Sequence, residues 1–122
     1  MARLPESEFE VMQVLWSTTA PLTSRTVLDA LEEKRHWKIQ TVSTLLSRLV
    51  AKGYLSTSKV RREVHYHPIV EREQYLKIEA EDFRTRNRDY TLRGLVAAFA
   101  ENEGFSSSQL DELQSWLDSQ RQ

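Results

Sequence analysis

A chain of 122 residues holds one modest core, or one small domain with an appendage, and nothing larger. Its hydrophobic fraction of 39% is ordinary for a globular protein, and the lack of any cysteine excludes disulfides, thiolate metal sites and cysteine nucleophiles together. The net charge of −1 excludes a generally basic protein, so affinity for a polyanion has to come from a local concentration of charge.

The first residues, MARLPESEFE, lack the basic start and apolar stretch of a signal peptide. No apolar run approaches the roughly 18 residues of a membrane span. A cytoplasmic protein without membrane insertion is expected. After Pro5, the residues Phe9, Met12, Val14 or Leu15, and Trp16 recur at helical spacing and predict a first helix over about 6–17. The segment TAPL breaks it. Thr23 or Ser24 can cap a second helix over about 24–34, with Val27, Leu28 and Leu31 on one side. A third helix begins near Lys38. Ile39, Val42, Leu45, Leu46 and Leu49 form its apolar stripe, and Gly53 stands where a left-handed residue would end it. YLSTSKV and EVHYHPI then alternate as two short strands around a basic turn. Three helices and a hairpin make a winged helix.

Between Lys34 and His67 lie eight basic residues against the single acid Glu63, a local balance of +7 that leaves −8 for the remainder. Within this segment the third helix turns Gln40, Ser43, Thr44, Ser47 and Ala51 outward, flanked by Thr41 and Arg48. A merely solvated face gathers Glu and Lys pairs; this one offers short hydroxyls, an amide and one guanidinium, which let a helix sit deep in a major groove. Gln40 suits adenine edges, Thr41 a thymine methyl or a phosphate, Ser43 and Thr44 either, and Arg48 a guanine or a phosphate. Lys38 at the head of the helix and Ser47 in its stripe complete the DNA-binding residues expected on this helix. Lys59, Arg61 and Arg62 at the hairpin tip would touch phosphate without reading sequence. His65 and His67 point the same way along a strand, but without cysteine or a nearby carboxylate pair they imply no metal site. Aromatic packing of Trp37, Tyr54 and Tyr66 against the helices is the ordinary use of that region. No cofactor is expected.

From Glu71 to Asn102 the pattern is helical. Leu76, Ala80, Phe83, Asn87 and Tyr90 fall at spacings of four and three, as in a coiled-coil seam with one polar member. An apolar cluster, Leu95 to Phe99, and the turn NEG follow. Ser106 and Gln109 suit a capping box, and Leu110, Leu113, Trp116 and Leu117 mark a last amphipathic helix. Helices this apolar are expected to pair with a second copy, through Leu76, Phe83, Tyr90, Leu95, Phe99, Leu113, Trp116 and Leu117, in a twofold dimer with two recognition helices for a palindromic site. The expected division is a DNA-binding domain over 1–69 and a helical dimerisation domain over 70–122.

The runs SEFEVMQVLW, HWKIQTVSTLLSRLVAKGYL, VHYHPIV and LVAAFAENEGFSSSQLDELQSWL together resemble the penicillinase repressor family, in order and over nearly the whole chain. The resemblance implies a homodimeric winged-helix transcriptional repressor that binds a short inverted repeat in double-stranded DNA, with Gln40, Thr41, Ser43 and Arg48 facing the operator. Family members tied to antibiotic resistance are cut by a membrane sensor protease between an asparagine and a phenylalanine. Ala98 and Phe99 hold that position here, so the resemblance names them as the candidate release site and such a protease as a candidate partner, although the asparagine is absent. The copper-responsive branch carries a cysteine-rich hook, which this chain lacks. The alternative to a repressor is a winged-helix protein-interaction module with only non-specific affinity for DNA. An enzyme is not expected: there is no glycine-rich phosphate loop and no carboxylate cluster with a histidine.

Overall fold

The computed structural model describes residues 1–19 and 22–121, with side chains at all of these except 102 and 103. The chain divides into two compact units, Met1–Thr85 and Arg86–Gln122. The TAPL break expected from the sequence falls partly on residues 20 and 21, which lie outside the described residues.

In the first unit, helix α1 spans Glu6–Trp16, α2 Ser24–Leu31 and α3 Ile39–Ala51; strands β1, Leu55–Val60, and β2, Glu63–Pro68, form an antiparallel hairpin, and α4 covers Arg72–Arg86. Val11, Met12 and Leu15 of α1, Val27 and Leu31 of α2, and Val42, Leu45, Leu46 and Leu49 of α3 meet in one core, closed by Leu4, Tyr54, Leu55, Val70 and Tyr75. Phe9 and Trp16, expected in the α1 stripe, and Val14, the alternative there to Leu15, pack around the core half-buried. Thr23 caps α2 by accepting from the Thr26 backbone N–H, while the Thr26 hydroxyl accepts from the backbone of Thr23. This helix stops at Leu31, three residues short of the expected end. Glu32 to Lys34 have no apolar side chain to bury, and the backbone N–H groups of Lys34 and Arg35 fold back onto the Leu31 carbonyl.

Helix α3 ends as its glycine requires. Gly53 takes φ +84°, its N–H reaches the Val50 carbonyl at 3.0 Å and that of Tyr54 the Leu49 carbonyl at 2.9 Å, the paired closure of a Schellman motif. The turn aims Tyr54 and Leu55 into the core, anchoring the base of the hairpin. Tyr66 of β2 also pairs with Leu22, its N–H donating to the Leu22 carbonyl at 2.9 Å, so the strand is held on both edges. Tyr75 ties α4 to this unit: it is 2% exposed, its ring stacks near Phe9, Trp16 and Tyr54, and its hydroxyl accepts from the Leu4 N–H and donates to Glu79, each at 2.8 Å.

The second unit contains α5, Leu92–Glu103, and α6, Ser107–Gln120. The expected single helical run through Asn87 and Tyr90 is corrected here: α4 ends at Arg86, and both residues lie in the connection, so no continuous seam runs through them. Asn87, Asp89 and Thr91 favour turns and caps over helix interiors, and Thr91 starts a new helix by accepting from the Gly94 N–H at 3.0 Å. The expected NEG turn falls two residues later. Helix α5 runs through Glu103, and the break is Gly104, at φ +68°, with Phe105 and Ser106 before α6 begins at Ser107. Ser106 and Gln109 form the expected capping box on α6. No described side chain of this unit is buried. Among the described residues, no helix is long and apolar enough to cross a membrane.

Candidate nucleic-acid interface

Burial of Val42, Leu45, Leu46 and Leu49 fixes the rotation of α3, and the opposite face follows from the helical period. Lys38, Gln40, Thr41, Thr44, Ser47 and Arg48 are exposed, and Ser43 is half-buried at the margin of the stripe. Gln40, Thr41, Thr44 and Arg48 surround a shallow, open depression whose apolar floor is Leu45. Within it the Thr44 hydroxyl donates to the Gln40 carbonyl one turn earlier, at 2.9 Å.

Lys59 lies near the end of β1, and Arg61 and Arg62 form the two-residue turn between the strands, all three exposed. Both turn residues are left-handed, at φ 51° and 71°. This is the pattern of a type I′ turn, whose twist suits a tight hairpin and which Asn-Gly adopts at little cost. Two arginines there cost roughly 1–2 kcal/mol each and place two guanidinium groups at the tip.

The basic segment is less uniformly available than its sequence implies. Arg35 makes a bidentate pair with Glu10 of α1, at 2.9 and 3.0 Å, with Glu6 at 3.8 Å and the ring of Trp37 5.4 Å below the guanidinium. The bond to Glu10 holds the Arg35 pKa above its ordinary value. Lys52, the C-cap of α3, binds the carboxylate of Glu8, which is 3% exposed. Among the described residues, Lys34, Lys38, Arg48, Lys59, Arg61 and Arg62 make no ion pair, so six of the eight cations are left to face a polyanion. The roles of Glu8 and Glu10 escaped the sequence reading, although a signal was present. Glu8 stands at the spacing of Val11, Met12 and Leu15, and an acid in a core stripe calls for a buried partner.

Ser58 Oγ and His67 Nε2 share a hydrogen bond of 2.8 Å, and His65 lies 3.6 Å from Glu63, so both histidines have protein neighbours on the hairpin. Among the described residues no group of three or more potential metal ligands converges.

Of the residues expected to dimerise, Leu76 on α4, Tyr90 in the connection, Phe99 on α5, and Trp116 and Leu117 on α6 are exposed, while Phe83, Leu95 and Leu113 are half-buried. Ala98 and Phe99 lie exposed inside α5.

Comparison with known proteins follows the same lines. The family model described as penicillinase repressor matches residues 4–119. The penicillinase repressor of Bacillus licheniformis is 30% identical over 111 residues, covering 91% of this chain and 86% of the relative. Among solved structures, the DNA-binding domain of the repressor BlaI is similar with a TM-score of 0.53 and 29% identity, covering 62% of this chain and 94% of that one. The Bacillus licheniformis BlaI monomeric form, solved in complex with the blaP half-operator, is similar with a TM-score of 0.51 and 30% identity, over 60% of this chain and 88% of that one.

Proposed function

This chain belongs to the penicillinase repressor family, and from that premise we propose that it works as a homodimer reading an inverted-repeat operator. It is a DNA-binding transcriptional repressor and not an enzyme, as the family is one of non-enzymatic regulators and a similar chain is known in complex with a half-operator. The observation that carries the finer reading is the outward face of α3: a row of amide, hydroxyl and guanidinium groups, braced from behind by four buried aliphatic side chains.

In this reading α3 enters the major groove. Gln40, Thr41, Ser43, Thr44, Ser47 and Arg48 meet base edges, Lys38 steers the helix start, and Lys59, Arg61 and Arg62 clamp phosphate beyond it. On the same reading, residues 1–69 carry the DNA contacts and 70–122 the dimer contacts, with Val70 and Tyr75 anchoring the start of the latter in the core of the first unit. The second unit supports a dimer because none of its described side chains is buried: Leu92, Phe99 and Trp116 are all more than half exposed in the single chain. Pairing two chains there gives two recognition helices related by a twofold axis, and bivalency multiplies the affinity of one. Cleavage between Ala98 and Phe99 by a sensor protease would cut α5 and undo that bivalency.

Selection of bound duplexes from a random pool at near-physiological salt tests the reading. An enriched inverted repeat is expected, and its enrichment is expected to fall when Arg48 is replaced by alanine. A flat pool would overturn the reading in favour of an interaction module.

A further inference from the structure

We propose that Thr44 selects a thymine through its methyl group. The inference rests on the assignment of α3 as the recognition helix and names the base feature that one of its residues takes.

From sequence alone, a threonine on such a face can offer its hydroxyl or its methyl. The structure separates the two. The Thr44 hydroxyl donates its single proton to the Gln40 carbonyl at 2.9 Å, which turns the oxygen back along the helix. The side chain is exposed, so the group it presents outward is the Cγ2 methyl. Thr44 and Leu45, the latter 5% exposed, both line the depression, and the methyl and the leucine are the apolar spot of its otherwise polar lining. Gln40 lies one turn before Thr44 and Arg48 one turn after it, so the spot is flanked by an amide and a guanidinium on the same face of the helix. In the major groove the C5 methyl of thymine is the apolar feature that distinguishes one unmodified base from the others, and amide and guanidinium groups suit the adenine and guanine edges beside it. An apolar spot between an amide and a cation therefore fits a thymine next to a purine.

The test uses the full chain and the inverted repeat enriched from the random pool. Each thymine of a half-site, with its symmetry mate, is replaced by deoxyuridine, which removes the methyl and nothing else. Wild-type protein is expected to lose about fourfold in affinity per half-site at one position, the worth of one buried methyl group. Thr44→Ser keeps the hydroxyl and its bond but has no methyl, and is expected to bind thymine and uracil alike at that position. Thr44→Val keeps the methyl and lacks the hydroxyl, and is expected to retain the discrimination. Thermal melts of both variants establish that they fold. Two results overturn the proposal while leaving the repressor reading intact: Thr44→Ser retaining the uracil penalty at every position, or Thr44→Val losing site preference while Thr44→Ser keeps it, which would make the hydroxyl the reader. A flat pool would overturn the recognition-helix reading, and this proposal with it.

Discussion

Glu8 and Lys52 carry opposite charges in very different surroundings: the glutamate side chain is 3% exposed, the lysine 42%. Removing either partner breaks the same bond but leaves different remains. Glu8→Gln returns a lysine to water and is expected to cost about 1 kcal/mol, whereas Lys52→Met strands a buried carboxylate and is expected to cost about 3 kcal/mol. Urea denaturation of the two variants measures the difference, and equal costs would mean that the carboxylate finds another partner. Tyr75 makes a second claim at this scale. Burial pushes its hydroxyl up to about 12; the Leu4 N–H works the other way, and Glu79 adds to the rise. Burial raises Tyr54 as well. In the unfolded chain a tyrosine titrates near 10. The folded state therefore keeps a proton that the unfolded state loses, and the contribution of Tyr75 is complete below pH 10 and lost as the pH rises toward 12. Stability is expected to hold level to about pH 9 and then decline, with a shallower decline in Tyr75→Phe; an unchanged alkaline slope in that variant would contradict the assignment. The identities of the outward residues on α3 were legible from the sequence because their helical period is strict. The pairing of Glu8 with Lys52 was not, since the two stand 44 positions apart and only packing brings them together.

The hairpin and α3 show how elements divide stability and function. Its turn would be more stable as Asn-Gly, so Arg61 and Arg62 trade backbone ease for charge at the tip. The double change Arg61→Asn with Arg62→Gly is expected to raise stability by about 1 kcal/mol or more, by relieving the left-handed backbone strain. It is also expected to flatten the dependence of log affinity on log salt by about 2, one phosphate contact for each arginine. Melting curves and binding titrations at several salt concentrations read both effects. A stabilised variant with an unchanged salt slope would remove the wing from the interface. Elements with strong local signals were read within a residue or two: α1, α3 with its Gly53 stop, the strands, and the Ser106 box. The stretch from Glu71 to Asn102 was misread as one helix because its spacing of four and three persists across a break. Spacing is blind to the caps and turns made by Asn87 and Thr91, and these decided the matter.

At the scale of the whole molecule, the net charge of −1 conceals a division of labour. Eight of the seventeen cations lie between Lys34 and Arg62, around α3 and the hairpin; two of these eight brace the α2 to α3 connection and the end of α3, and six remain to face a polyanion. None of the described side chains of the second unit is buried in the single chain, an arrangement that a second copy would complete. The apolar surplus of the last two helices was visible in the sequence. The geometry of its burial was not, because the partner that would cover it is another chain. The most direct measurement is fluorescence anisotropy of the protein on two duplexes, one carrying the enriched inverted repeat and one with a half-site scrambled, with stoichiometry from sedimentation. Two chains per intact repeat, and an affinity for it at least a hundredfold above that for the single half-site, are predicted. Equal affinities, or one chain on the intact repeat, would contradict the account of a twofold reader.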